Sequence, residues 1–276
     1  MSEIEPGLIP DMPNREYHDQ TDWWSSTQLK SWLPERYKTG GSADALTFGT
    51  LVHEVVLEPD NLDHYEVVDA HAIAGANPKT GKPYDNPTMT ARYKAHVAEV
   101  EQSGKVVVAS ADWDRAHAMR DAIAAHETAA GLIFGTDGRN EESAFWADDN
   151  GVQHKARFDR RIPGALVDLK TTSAKPGADS LTRACIDYGY DLSAAHYLEV
   201  ASGLGLDADV FAHVWVAKEA PYRVTVTELD AAFVARGRVL RALALERAAS
   251  RAPAYEGADG YLTLTPPRWA DLKETA

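Results

Sequence analysis

The sequence predicts an α/β fold with a central mixed β-sheet flanked by helices, and it predicts that residues 1–276 form a single domain. Two observations carry this prediction. Hydrophobic residues recur at helical spacing in the first and last thirds of the chain, but in the middle third they alternate with a period of two, which is typical of strands. The order helix, three strands, helix, strand, strand then favours one mixed domain over two separate ones.

The predicted helices begin and end at residues that favour helix termini. Residues 1–24 contain several prolines and are predicted to be an irregular lead-in. Ser25-Ser26-Thr27 is typical of a helix N-cap, and Glu58-Pro59 of a helix end. The segment 71–89 is rich in Gly, Pro and Asn, which predicts a flexible loop, and 252–276 is predicted to be a C-terminal tail. The predicted helices are 25–37, ending before Gly40-Gly41, then 45–58, 90–103, 111–125, 191–204 and 230–251.

The middle of the chain predicts a three-stranded antiparallel meander. Its strands are 142–147, 153–160 and 165–170, and polar or Pro-Gly turns separate them. Two further strands, 210–217 and 222–229, are predicted after the helix 191–204. The run of valines at 106–108 is too short to assign.

Composition limits the class of function. The 42 acidic and 28 basic residues give a net charge of −14, which disfavours a sequence-specific DNA-binding protein because phosphate binding leaves a basic footprint. An enzyme needs positive charge only along the strand that it contacts, and a bound metal adds charge that this count omits. Cys185 alone excludes an internal disulfide and a cysteine-ligated cluster. No run of apolar residues approaches the length of a membrane span, and the first residues lack the pattern of a signal peptide, so we expect a cytoplasmic protein without a membrane partner.

Two neighbouring strands carry the residues that point to chemistry. Asp168 and Lys170 are two residues apart on a strand and therefore project from the same face. Asp159 lies near the end of the preceding strand, and antiparallel pairing would place it beside them. Converging carboxylates bind a hard divalent cation, which predicts Mg²⁺ as the cofactor and Mn²⁺ as a substitute. Such a site suits phosphodiester hydrolysis, in which Lys170 orients or deprotonates the attacking water or stabilises the transition state.

An Asp-x-Lys pattern is also typical of a solvated strand face with a surface ion pair. The run 167–172, VDLKTT, favours a functional role because its apolar residues alternate with charged ones and bury one face of the strand. His53-Glu54 matches the start of a zinc-protease motif. Leu57 stands where that motif requires its second histidine, so zinc hydrolysis is unsupported.

Short motifs along nearly the whole chain carry a family resemblance. They are Tyr17-His18, Ser26-Thr27 with Leu29, Phe48-Gly49-Thr50-Leu51-Val52-His53, Leu57-Glu58-Pro59, Arg157-Phe158-Asp159, Val167-Asp168-Leu169-Lys170-Thr171-Thr172 and Pro267-Arg268-Trp269-Ala270. In this order they resemble the nuclease domain of exodeoxyribonuclease VIII, the RecE family, which belongs to the RecB-like branch of the PD-(D/E)xK superfamily.

The resemblance implies an exodeoxyribonuclease of phage-type recombination. It implies a magnesium-dependent enzyme that degrades one strand of linear double-stranded DNA from the 5′ end and leaves a 3′ single-stranded overhang. The implied partners are linear DNA ends and a RecT-like single-strand annealing protein. The implied assembly is a toroidal homotetramer, and the implied location is the cytoplasm.

The resemblance also assigns roles by position. His53 resembles a helix-borne metal ligand, Asp159 and Asp168 resemble the two metal carboxylates, and Lys170 resembles the catalytic lysine. The backbone carbonyl of Leu169 is expected to face the metal.

Other matched positions are expected to support the site. Glu142 matches an acidic position on the first strand, where it would contact a second metal or the outer shell of the first. Tyr197 matches the tyrosine of a Gln-x-x-x-Tyr motif, although Ser193 stands where that motif has glutamine. Arg157 and Thr171 are expected to contact DNA or to support the site.

Two alternative functions are weighed against the exonuclease. A Cas4-like or RecB-like single-strand nuclease is disfavoured, because the Cas4-like relatives usually carry four cysteines. A non-catalytic DNA-end adaptor is disfavoured because a binding module needs no buried anionic cage. For two groups of residues the sequence does not decide between DNA contact and packing or surface roles. They are the arginines Arg236, Arg238, Arg241, Arg247 and Arg251, and the tryptophans Trp23, Trp24 and Trp32.

Overall fold

A computed structural model describes residues 4–38, 43–173 and 177–250. The helices of this part are α1 (Asn14–Asp19), α2 (Ser26–Ser31), α3 (Ala43–Leu57), α4 (Ala70–Ala74), α5 (Ala91–Gln102), α6 (Ser110–Ala125), α7 (Glu127–Phe134), α8 (Ala178–Asp187), α9 (Tyr190–Gly203) and α10 (Ala231–Ser250). The strands are β1 (Gly7–Ile9), β2 (Tyr65–Val68), β3 (Val106–Ala109), β4 (Arg139–Ala147), β5 (Gln153–Ile162), β6 (Gly164–Thr172), β7 (Ala208–Ala217) and β8 (Val224–Glu228).

The central sheet has six strands in the order β1-β4-β5-β6-β7-β8. Strands β4, β5 and β6 form the predicted antiparallel meander, whereas β6 and β7 run parallel. A parallel neighbour requires a crossover connection, and α8 and α9 supply it. The prediction of a mixed sheet flanked by helices is confirmed. A separate two-stranded parallel sheet, β2-β3, includes the valine run that the sequence left unassigned.

The sheet buries both faces, and β6 contributes to both. Val167 and Leu169 pack against α3 and α6 on one face, while Leu166 packs on the other face with residues of α9. Because successive side chains of a strand point to opposite faces, Asp168 and Lys170 are directed to the α9 face.

The turn between β4 and β5 fixes their register. The Asp148 carboxylate accepts hydrogen bonds from the backbone N–H groups of Asn150 and Val152, and Gly151 adopts a positive φ of 77°. Outward from this turn, Asn140 pairs with Arg160 and Glu142 with Phe158. Residue 141 therefore stands opposite residue 159.

The N-terminal lead-in 1–24 was predicted to be irregular, and this was wrong for β1 and α1. β1 completes the sheet edge beside β4. The Lys155 side chain donates hydrogen bonds to the backbone carbonyls of Tyr17 and Gln20. Arg157 donates one to the backbone carbonyl of Met12. These partners are more than 130 residues away in sequence, so no local pattern reveals them.

Other boundaries also differ from the prediction. α2 ends at Ser31, six residues before the predicted end, and the segment 71–89 contains α4 and a 3-10 turn at Pro87–Met89. α7 and α8 were not predicted. The expected helix stop at Gly40-Gly41, the tail 252–276 with its Pro267-Arg268-Trp269-Ala270 motif, and Arg251 lie outside the described residues.

Among the described helices, none combines the length and the apolar character that crossing a membrane requires.

Candidate metal centre

Asp168 and Lys170 lie side by side on β6, as their spacing predicts. The Lys170 Nζ atom is 2.5 Å from the Asp168 Oδ2 atom, and Asp168 is only 7% exposed. Burial disfavours the charged form of both residues, but the nearby opposite charges have the larger effect. Lys170 and then His213 lower the pKa of Asp168. Asp168 and then Asp159 raise the pKa of Lys170. Lys170 therefore stays a cation, and Asp168 stays an anion.

Asp159 of β5 lies against the same part of β6. Its Oδ2 atom accepts a hydrogen bond of 2.8 Å from the backbone N–H of Leu169. The regular pairing of β5 with β6 covers only Arg160–Ile162, so this side chain bridges the two strands where the ladder is absent. Burial and then the negative charge of Asp168 raise the pKa of Asp159, which shows that the two carboxylates are electrostatic neighbours.

His53 reaches the two strands from α3. Its Nε2 atom is 2.7 Å from the carbonyl oxygen of Leu169, and its Nδ1 atom is 3.6 Å from Asp159 Oδ2. The predicted histidine, first carboxylate and backbone carbonyl are thus brought together from positions more than 100 residues apart.

Glu141, which the sequence analysis did not select, completes this group. Ligand atoms of His53, Glu141 and Asp159 all lie within 4.8 Å of one another. Two ligands on opposite sides of one cation, with metal–ligand distances of about 2.0–2.6 Å, are separated by about 4–5 Å. We call these three residues the metal cluster. Two carboxylates and an imidazole suit a divalent cation, so the residues present fit the cofactor that the sequence predicts.

Glu142, the predicted acidic residue of β4, is placed elsewhere. Its carboxylate accepts two hydrogen bonds from Arg161, at 2.6 and 3.2 Å, and it is only 6% exposed. The side chains of adjacent strand residues diverge, and Glu141 has a positive φ of 48° that interrupts the regular strand at this point. The register counted from the β4–β5 turn was the signal that could have identified Glu141.

The two carboxylates of the metal cluster repel each other. Burial and then the charge of Asp159 raise the pKa of Glu141 to about 7, although Arg157 and His53 act in the opposite direction. Arg157 donates a 2.7 Å hydrogen bond to Glu141 and another to the carbonyl of Met12. A bound cation would relieve the repulsion between these half-buried carboxylates.

A cavity of about 470 Å³ opens beside the metal cluster. His53, Glu141 and Asp159 line one side. Residues of α1 and the start of α2, among them His18 and Ser26, line the other side. The volume lies in the range of pockets that hold one small ligand, which is about 300–1,000 Å³.

The remaining predicted site residues occupy different places. Tyr197 lines the cavity, and its ring packs edge-on against Phe158 with centroids 5.9 Å apart. Arg157 holds Glu141 and the N-terminal segment, which is a supporting position. Thr171 lies beside α3, where a Cβ atom on Gly49 would be 4.0 Å from its Oγ1 atom.

Four of the arginines and tryptophans for which the sequence left DNA contact undecided make contacts within the protein. Arg236 pairs with the buried Asp191, Arg241 contacts His196, and Arg247 donates to the carbonyl of Trp32. Trp23 is 5% exposed and packs in the N-terminal core. These contacts favour packing over DNA contact for all four residues.

Comparisons with known proteins agree with this architecture. A family model described as "PDDEXK-like domain of unknown function (DUF3799)" matches residues 25–247. The chain is similar to a crystal structure of a presumed exonuclease from Eubacterium rectale, with a TM-score of 0.56 and 15% identity over 96% of this chain and 99% of that one. At this identity the likeness is one of fold. No curated protein matches the sequence.

Proposed function

We propose that this chain, which belongs to the PDDEXK-like family DUF3799, is a divalent-metal-dependent nuclease that hydrolyses phosphodiester bonds in DNA. The observation that carries the proposal is the metal cluster, which lines an open cavity and whose Asp159 is the electrostatic neighbour of the Asp168–Lys170 pair. A non-catalytic DNA-end adaptor would have no need of half-buried carboxylates that repel each other.

The metal cluster would hold the cation, with Asp168 and the Leu169 carbonyl beside it. A bound Mg²⁺ or Mn²⁺ ion supplies Lewis-acid polarisation of the phosphoryl group and acidifies a water. Lys170 is held as an ammonium by Asp168 at 2.5 Å, and an ammonium is a donor without a lone pair. Its role in this proposal is therefore to stabilise the negative charge that develops on phosphate, and not to remove a proton.

The finer proposal is a RecE-like exonuclease that digests linear double-stranded DNA from 5′ to 3′ and leaves 3′ overhangs. The ordered motifs of the sequence support it, and so does the fold shared with a relative described as a presumed exonuclease. The proposal includes a toroidal homotetramer, a RecT-like annealing partner and action in the cytoplasm. Sedimentation of the purified chain as a monomer at working concentration would contradict the ring.

The test is digestion of a linear duplex with different labels at the 5′ and 3′ ends of one strand. With Mg²⁺ or Mn²⁺ we expect the 5′ label to be released first and closed circular DNA to stay intact. Asp159→Ala should be inactive, whereas Asp137→Ala, which removes an exposed acid from the loop before β4, should be active.

Each other outcome has a defined meaning. Failure of the wild type to release any label with either metal contradicts the nuclease, and DNA retention without cleavage would then favour the adaptor. Early release of the 3′ label contradicts only the polarity. Preferential cleavage of single-stranded circles favours the Cas4-like or RecB-like alternative.

A further inference from the structure

Lys30 of α2 is a cation without a carboxylate partner within 4.0 Å in the part of the chain that the structure describes. Its Nζ atom donates hydrogen bonds to the Ser193 hydroxyl at 3.1 Å and to the Tyr188 carbonyl at 3.4 Å. Both acceptors are neutral, and they use two of the three ammonium hydrogens. The nearby Lys38 differs, because its Nζ atom is 2.7 Å from the Asp187 carboxylate.

The Lys30 side chain packs closely against Gly189 and Tyr37. Gly189 has a φ of +65°, and a Cβ atom there would lie 2.7 Å from Lys30 Cδ and 2.8 Å from Tyr37 Cε1. Any larger residue would therefore displace the lysine stem. The absence of a side chain at Gly189 allows the stem to pack closely and directs the ammonium to one place.

The Lys30 ammonium group lies next to the candidate site. Ser193 lies one helical turn before Tyr197, which lines the cavity. Lys30 does not line the cavity itself, but it lies one helical turn after Ser26, a cavity residue on α2. Burial and then the positive charge of Lys170 lower the pKa of Lys30 to about 8, although the Asp168 and Asp191 carboxylates act in the opposite direction. The Lys30 and Lys170 ammonium groups therefore share one electrostatic environment.

The position is also open to a ligand. Lys30 is half-buried, and Tyr188, whose carbonyl holds it, is 43% exposed. A partly desolvated cation with no carboxylate in contact is costly, and an arriving anion offsets that cost. A phosphodiester group is the anion that a strand entering the cavity would bring.

We infer that Lys30 binds a backbone phosphate of the substrate strand next to the bond that is cut. The inference rests on the proposed nuclease function and adds a substrate-binding residue to it. The Lys30 ammonium donates a hydrogen bond to the Ser193 hydroxyl at 3.1 Å, so α2 adds a cation to the polar group that α9 supplies here.

The experiment measures binding of a duplex with a single-stranded end over a series of salt concentrations, with Ca²⁺ present and a gel to verify that the DNA stays intact. Lys30→Met should weaken binding roughly tenfold, the equivalent of one charge-assisted hydrogen bond. It should also reduce the slope of log K against log salt by about 0.7–0.9, because one phosphate contact is lost. Lys30→Arg should keep the wild-type slope.

The matched control is Lys38→Met, which removes the same charge from a neighbouring lysine that is already paired. An unchanged slope for Lys30→Met overturns the inference, and so does an equal reduction for Lys38→Met. If Lys30→Met does not fold, Lys30→Gln carries the same expectation because it keeps a donor for Ser193. Absence of DNA binding and of cleavage by the wild type would instead contradict the proposed function.

Discussion

Replacing Glu141 with glutamine tests the metal cluster most directly, because the adjacent Glu142 provides a matched control. Both residues are glutamates of β4, Glu141 half-buried and Glu142 buried. Glu141 belongs to the metal cluster, whereas Glu142 is paired with Arg161. We expect Glu141→Gln to stabilise the metal-free protein and to weaken metal binding. We expect Glu142→Gln to destabilise the protein and to leave metal binding intact.

The magnitude follows from the raised pKa of Glu141. A rise in the pKa of Glu141 from 4.5 to about 7 corresponds to on the order of 3 kcal/mol of folding free energy, since each pKa unit is equivalent to about 1.4 kcal/mol. The folded pKa lies above the unfolded one, so wild-type stability falls as the pH rises from 4.5 to 7. Above pH 7 Glu141→Gln should therefore be more stable by about 2 kcal/mol, after allowing for the weaker hydrogen bond from Arg157. For a chain of this size that is roughly 4–8 °C in Tm.

The assay is thermal unfolding at pH 8 with and without Mn²⁺. A ligand that binds only the folded state raises stability by about 2.7 kcal/mol at one hundred times its Kd, and each tenfold loss of affinity removes about 1.4 kcal/mol. Glu141→Gln should thus show a higher Tm without metal and a smaller metal-induced increase. A lower metal-free Tm together with an undiminished metal response would refute the assignment of Glu141 to the cluster.

Three further predictions concern the site and its scaffold. Lys170→Met should lower the single-turnover cleavage rate by roughly 10²–10³-fold and keep the metal-induced rise in Tm; a rate within a few-fold of wild type would contradict its role. His196 has a pKa lowered to about 3, first by burial, so it should penalise folding once the pH falls below its unfolded value of 6.5. In urea unfolding, the stability advantage of wild type over His196→Gln should shrink by on the order of 3 kcal/mol between pH 6.5 and 4, and a constant difference would contradict this. Gly237→Ala should destabilise by about 1–3 kcal/mol or more, because its Cβ would lie 2.0 Å from the Asp191 carbonyl oxygen, whereas Gly131→Ala meets nothing within 4 Å and should be neutral or stabilising.

The local chemistry of this protein was predictable wherever a short pattern decides the structure. The two-residue spacing of Asp168 and Lys170 places both on one face of a strand in any register. The meander and the long helices followed from periodicity and turn residues, and the ligand types predicted a hard divalent cation. The motifs identified His53 as a companion of these residues before any contact was known.

Features that depend on distant partners were decided only by the tertiary structure. Glu141, and not Glu142, lies in the metal cluster because of the register of β4 with β5 and the positive φ of Glu141 itself. β1 pairs with β4, and the Tyr17 carbonyl of α1 accepts a hydrogen bond from Lys155, so both elements have their partners far along the chain. Local sequence determines which face a side chain takes, but it cannot determine which charge, carbonyl or helix is brought against that face, because those contacts exist only once the chain has closed on itself.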